Sequence, residues 1–269
     1  MSKLILRTSM FAVAALFAQA AMADAGFKVR GGVASTTYDA EYSGFVTAYK
    51  GTSGTAKYDA TTLGLTYTTP VGIYFDLSGS AGSGNHDSWR AITAASQSFK
   101  RNDQQFIVGI AGVGPASFYV GFKNGTTEMA APKGVTINNN SICGAIGGTS
   151  PCSLGWSKDT FNAKGLILGG GVGFPLGEDG RGGTIGVNAG LGLMKANWHD
   201  DNGYSVDADT ALGFSLGASY TYKFIPNFGM TVDAKYNKYS YDFNTASASS
   251  SFSIGEKTTA LGVNLFVTF

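Results

Sequence analysis

Leu261, Val263, Leu265, Val267 and Phe269 fall at every second position. A strand sends alternate side chains to opposite faces, so one face of this stretch is wholly apolar. The same rhythm recurs upstream. Phe27, Val29 and Val33 mark a strand over about 27–37, and Leu63, Leu65 and Tyr67 one over about 57–69. Pro70-Val71-Gly72 turns the chain into Ile73, Phe75 and Leu77; Phe106, Val108 and Ile110 follow, and 112–115 turns into Phe118, Val120 and Phe122. Leu166 to Phe174, Ile185 to Leu193, Leu212 to Tyr222, Phe228 to Tyr236 and the C-terminal stretch complete ten strands, or twelve if the 124–160 connection hides a hairpin.

The second face separates a membrane barrel from a soluble one. Beside the apolar set of the seventh strand stand Thr184, Gly186, Asn188, Gly190 and Gly192; beside that of the eighth, Ala211, Gly213, Ser215, Gly217, Ser219 and Thr221. Turned to water, this face would lack the Lys and Glu that stop soluble sheets from associating. Turned inward, it suits a crowded lumen, and the apolar set meets lipid. Roughly ten tilted residues cross an apolar band about 25 Å tall. The connections also alternate: four are short and rich in Pro and Gly, while 39–56, 83–103, 124–160, 197–206 and 244–256 are longer and polar.

Together, the alternating Phe-terminated tail and the turn pattern resemble bacterial outer-membrane β-barrels. The resemblance implies an all-β fold: a closed antiparallel transmembrane β-barrel with short periplasmic turns, long extracellular loops and both termini in the periplasm. It also implies that Leu261, Val263, Leu265, Val267 and Phe269 act as an assembly signal for the barrel-assembly machinery, although Asn264 stands where Gly is common. Periplasmic chaperones, outer-membrane lipid and lipopolysaccharide are the other partners it implies. Phe27, Phe174, Phe224, Phe228 and Phe269 fall near the periplasmic ends, and Tyr38, Trp198, Tyr239 and Tyr241 near the outer ends, as two interfacial girdles.

The N-terminus fits export to that compartment. Lys3 and Arg7 precede the uncharged stretch Met10–Ala18, and Ala21-Met22-Ala23 has the small-x-small form of a cleavage site. Residues 1–23 therefore read as a signal peptide and 24–269 as one barrel domain in the outer membrane of a Gram-negative bacterium. Without the leader, 19 − 2 = 17 basic residues face 18 acidic ones, a net charge near −1 with no nucleic-acid footprint. Charged residues make up 14% of the chain, against about 25% in soluble domains. In an oxidising compartment Cys143 and Cys152 are expected to pair; two thiolates without further ligands nearby do not make a metal site.

The phase of alternation sends Lys28, Arg30, Asp76, Lys123, Asp233 and Lys235 into the lumen. Such charges either form a salt-bridged plug or line a narrow polar path. Loop 124–160 is the expected place for ligand, phage or host contact. No cofactor is implied. The enzymatic alternatives are weaker. Asp207-Ala-Asp209, with His199-Asp200 and His86-Asp87 nearby, resembles part of the omptin protease site, but that family's Asp-x-His spacing is absent. His86-Asp87-Ser88 matches the His-x-Ser element of lipid A deacylases, in a polar loop. Gly169–Phe174 lacks the helix that phosphate binding needs, and Asp200-Asp-Asn-Gly203 lacks the Glu of an EF-hand loop. The reading is thus a non-enzymatic barrel, a narrow pore or a surface-loop scaffold, with an omptin-type hydrolase as alternative. N-terminal sequencing of protein recovered from outer membranes should begin at Asp24; an intact Met1 would remove the export assignment.

Overall fold

The computed structural model describes residues 25–44, 46–47, 53–87, 97–113, 115–130, 136–137, 143, 149–153, 158–177, 182–245 and 251–269. Ten long strands carry the fold: β1 (Gly26–Gly44), β2 (Ser53–Thr68), β3 (Ile73–His86), β4 (Gln97–Val113), β5 (Ala116–Ala130), β8 (Lys158–Pro175), β9 (Thr184–Asp200), β11 (Ala211–Ile225), β12 (Phe228–Phe243) and β13 (Phe252–Thr268). Three short strands lie outside the barrel wall. β6 (Thr136–Ile137) and β7 (Cys152–Ser153) form a separate two-stranded sheet, and β10 (Ser205–Asp207) adds to the outer end of β9. The 124–160 stretch therefore does carry a hairpin, but one outside the ten-stranded barrel.

Each long strand pairs antiparallel with its sequence neighbour, and β13 pairs with β1, closing the ring. The ladder is sheared. A circuit leaving β1 at Gly26 passes Thr68, Tyr74, Gly109, Tyr119, Gly169, Gly190, Ser215, Asn237 and Thr258 and returns at Tyr38, 38 − 26 = 12 residues further on. Ten strands with this stagger tilt by about 40°. Closure bonds the backbone throughout, the condition for a sheet to lie in hydrocarbon. The expected apolar set faces outward: Val120 is 55% exposed, and Leu261, Val263, Leu265 and Phe269 are also on the outer surface.

The strands run further outward than the alternating apolar pattern predicts, and four of the five long connections are correspondingly shorter; the one expected at 197–206 falls at 201–210 instead. β1 reaches Gly44 rather than about residue 37, β5 reaches Ala130, and β4 begins at Gln97. Above the apolar band the pattern inverts. On β1 the outward residues become Ser35, Thr37, Asp39 and Glu41, while Tyr38 and Tyr42 point inward and are buried. This corrects the expected outer girdle: Tyr38, Trp198, Tyr239 and Tyr241 are all buried inside the barrel. The periplasmic set Phe27, Phe174, Phe224 and Phe269 does face outward.

A charge on the lipid face of the span is costly. Val120→Arg should lower barrel stability by ~2–4 kcal/mol in vesicle-based equilibrium unfolding, whereas Lys100→Arg, above the apolar band, should leave it within error.

Candidate functional site

Inside the wall, side chains fill the lumen in layers. Nearest the periplasmic end, the Arg30 guanidinium donates to both carboxylate oxygens of Asp76, at 2.7 and 2.9 Å. Thr66 and Ser78 hydroxyls donate to the same carboxylate at 2.6 and 2.9 Å, so Asp76 accepts four hydrogen bonds. Lys28 Nζ lies 4.1 Å from the centre of the Phe266 ring. Asn264 of β13 links β12 to β2 across β1: its Oδ1 accepts from Thr62 at 2.5 Å, and its Nδ2 donates to Asp233 at 2.9 Å. The residue that departs from the usual closing-strand Gly is thus part of the lumen network.

The next layer crosses the barrel. Arg101 of β4 grips Asp103 through Nε and Nη2, at 2.7 and 2.9 Å, and donates through Nη1 to Thr127 at 2.9 Å. The same Nη1 bonds Glu256 of β13. β4 and β13 are four strands apart around a ring of ten, so this ion pair nearly spans the lumen. Lys123 Nζ stands 3.8 Å from Asp103 and 5.3 Å from the Tyr239 ring centre. Burial makes these pairings obligatory, because an unpaired charge here would be stranded away from water.

Above the ion pairs lies an aromatic cap. Phe99 packs 5.1 Å from both Tyr38 and Tyr58, Phe161 lies 5.1 Å from Tyr241, and Phe243 stacks on Phe252 at 4.5 Å. Glycines make room for these groups. A Cβ at Gly213 would sit 1.9 Å from the Tyr239 ring, and one at Gly64 2.6 Å from the Arg30 guanidinium. Between the layers remains a small cavity of about 40 Å³, lined by Gln105, Tyr119, Lys123, Asn188, Lys235 and Asn237 among others.

The six lumen charges read from the sequence all lie on the inner face; Arg30 pairs with Asp76, and Lys123 with Asp103. Arg101, Asp103 and Glu256 escaped sequence reasoning because stretches 83–103 and 244–256 read as polar loops. Parity was the signal, since Glu256 shares the phase of Asn264 and of the inward face of β13. Cys143 and Cys152 are disulfide-bonded, and Leu261, Val263, Leu265, Val267 and Phe269 line the outer face of the closing strand.

The outer rim holds the acids and histidines considered for catalysis. His199 Nδ1 meets Asn197 Oδ1 at 3.1 Å, and Asn197 Nδ2 donates to Asp207 at 2.9 Å and to Ser205 Oγ at 3.0 Å. Asp209 accepts from Asn244 at 2.6 Å. Asp200 accepts from the backbone N–H groups of Asn202 and Tyr204, closing the turn at Gly203. Partial burial, and then that carboxylate, raise the Tyr204 phenol above its ordinary value. His86 points into the lumen and stacks on Phe99 at 5.6 Å, away from the lipid-facing wall, and Ser88 lies outside the described residues. No group of three or more metal-ligating side chains occurs among the described residues.

No family model matches this chain, and no curated protein is similar to it in sequence. Solved structures are similar. The outer membrane protease OmpT from Escherichia coli superposes with a TM-score of 0.58 at 12% identity, over 93% of this chain and 98% of that one. The translocator domain of the autotransporter NalP from Neisseria meningitidis gives 0.45 at 12% identity, over 90% and 88%. Neisserial surface protein A gives 0.36 at 12% identity, over 91% and 98%. The chain has the outer-membrane β-barrel fold. At these identities the likeness extends to the fold alone, so any activity of this barrel must be argued from its own side chains.

In this barrel, Arg101→Met strands Glu256 without its cation and should cost ~3–5 kcal/mol in equilibrium unfolding. The double variant R101M/E256L should recover part of that loss, which a double-mutant cycle reads directly.

Proposed function

We propose that this protein is a non-enzymatic resident of the outer membrane of a Gram-negative bacterium, with an interior sealed against free diffusion and outer loops as its working surface. The observation that carries this reading is the Arg101–Glu256 pair, which ties opposite walls together beneath a layer of packed rings. A diffusive path needs a continuous wet lumen, and an ion pair reaching across the barrel beneath packed rings argues against one.

Sealing the barrel also stiffens it, and loops on a rigid scaffold are the usual place for recognition. The segment between β5 and β8 fits that role best: it is the longest connection, and its Cys143–Cys152 bridge and β6–β7 ladder hold part of it in one shape. A host, phage or soluble ligand is its expected partner. The closing strand is the segment offered to the assembly machinery, after delivery by periplasmic chaperones. The rim favours a non-enzymatic reading too, because His199 Nδ1 faces an amide oxygen and Asp207 and Asp209 are engaged by asparagine side chains.

Planar bilayers test the seal. Wild-type protein should give no discrete conductance steps, whereas the triple variant F99A/F161A/Y241A, which removes rings from the cap, should give measurable ones. Steady wild-type channels of uniform size would return the barrel to the pore class.

A further inference from the structure

The apolar outer wall is not level. Around the ring the line of Cα partners climbs 12 residues over ten strands, about 1.2 residues outward at each step. Equal depths on distant strands follow from that slope. Gln104 of β4 pairs with Asn124 of β5, which pairs with Lys164 of β8; two steps lift the line by about 2.4 residues, so Gln104 lies level with Leu166. From Thr61 of β2, five steps through Ala81, Asn102, Thr126 and Asn162 reach Asn197 of β9, a climb of about 6 residues. Since 197 − 6 = 191, Thr61 lies level with Leu191. Leu166, Leu191 and Leu193 face lipid, while at their depth β2 to β5 present Thr61, Gly79, Ala81, Gln104 and Asn124 on the same outward face.

The charged collar, by contrast, begins at one depth on both walls. Asp59 of β2 leads through Ser83, Lys100 and Glu128 to Thr160 of β8, four steps and about 4.8 residues higher, so Asp59 is level with Lys164 to within a residue. The headgroup boundary therefore stands at the same height on the two sides, and the uncharged polar patch lies beneath it, against hydrocarbon. Hydroxyls and amides there lose the hydrogen bonds that water would give them. Among the described residues, no hydrogen bond engages the side chains of Thr61, Gln104 or Asn124.

We propose that this face, β2 to β5, docks a second copy of the chain within the membrane. Hydroxyl and amide groups carry donors and acceptors together, so the patch is complementary to itself, and no charge at that depth opposes the pairing. Two copies inserted the same way up are related by a twofold axis along the membrane normal, which sets β2 against β5 and β3 against β4 of the second copy. At equal depth Gln104 then enters the space above Gly79 and Ala81, where small side chains let the walls approach, and Thr61 meets Asn124. In the collar above, Lys57 of β2 comes opposite Glu128 of β5, a carboxylate that holds Lys158 at 2.9 Å and has lone pairs for a second ammonium. The Leu-rich wall of β8 and β9 makes no such demand, because acyl chains already suit it. This pairing requires a membrane-spanning barrel but not a sealed lumen, so channel recordings do not bear on it.

Full-length protein folded into phosphatidylcholine vesicles, with N-terminally labelled donor and acceptor copies mixed, reads self-association by energy transfer. Wild type should associate reversibly on varying the lipid-to-protein ratio. T61V/Q104L/N124L, which makes the face as apolar as the opposite wall, should weaken association at least about tenfold and keep the heat-modifiable mobility of a folded barrel. Under mild oxidation, Ala81→Cys copies mixed with Gln104→Cys copies should form covalent dimers, and Leu166→Cys copies mixed with Leu193→Cys copies should not. A wild-type barrel monomeric at every ratio overturns the proposal and leaves the polar face to lipid. Unchanged association of T61V/Q104L/N124L, or cross-links only on the Leu166–Leu193 wall, also overturns it.

Discussion

Phe27 and Phe269 exchange two backbone hydrogen bonds, of 3.2 and 2.8 Å, at the base of the β1–β13 pair. That seam is the constraint on which the architecture depends. In hydrocarbon each unbonded N–H or C=O costs several kcal/mol, so a sheet can enter only if its last strand finds its first. Once the ring is closed, side-chain polarity is forced: the outer face takes Leu, Val and Phe, and whatever is polar goes inside. Ten strands with a stagger of 12 then fix how much room the inside has.

The limited room explains the interior chemistry. Charges in a narrow lumen must meet partners: Arg30 reaches Asp76 and Arg101 reaches Glu256 across strands, while Arg101 also grips Asp103 two residues along its own strand. Bulky groups need somewhere to lie, and the wall provides it by omitting side chains opposite them. Tyr239 rests over Gly213, Tyr58 over Gly82 and Phe266 over Gly229, each at a distance a Cβ would make impossible. These three glycines are therefore tied to the packing of the lumen rather than to turns.

Legibility in the sequence followed the direction of the apolar residues. Where they point to lipid, as at Phe118, Val120 and Phe122, the period of two is unmistakable, and the class, the ten strands and the inward phase of Lys28 to Lys235 all follow. Above the lipid the apolar residues change sides. Tyr38, Phe99 and Phe252 point inward, while their companions Asp39, Lys100 and Ser253 face water. The alternation continues, but hydrophobicity no longer marks the outer surface, so these lengths read as polar loops and their ion pairs went unseen. The shared depth of Gln104 and Leu166 was hidden for a different reason: it depends on register, and no single strand contains it.

The extension of the strands beyond the apolar band is the last step of this logic. A barrel that only needed to span the membrane could stop where Leu166 and Leu193 stop. This one continues, and there its interior becomes an ordinary protein core in which Phe161, Tyr241, Phe243 and Phe252 are buried by hydrophobic packing in water. That core holds the strand ends together where lipid no longer confines them. On the reading proposed above, the same inward-turned rings both close the lumen and brace the strand ends that carry the outer loops.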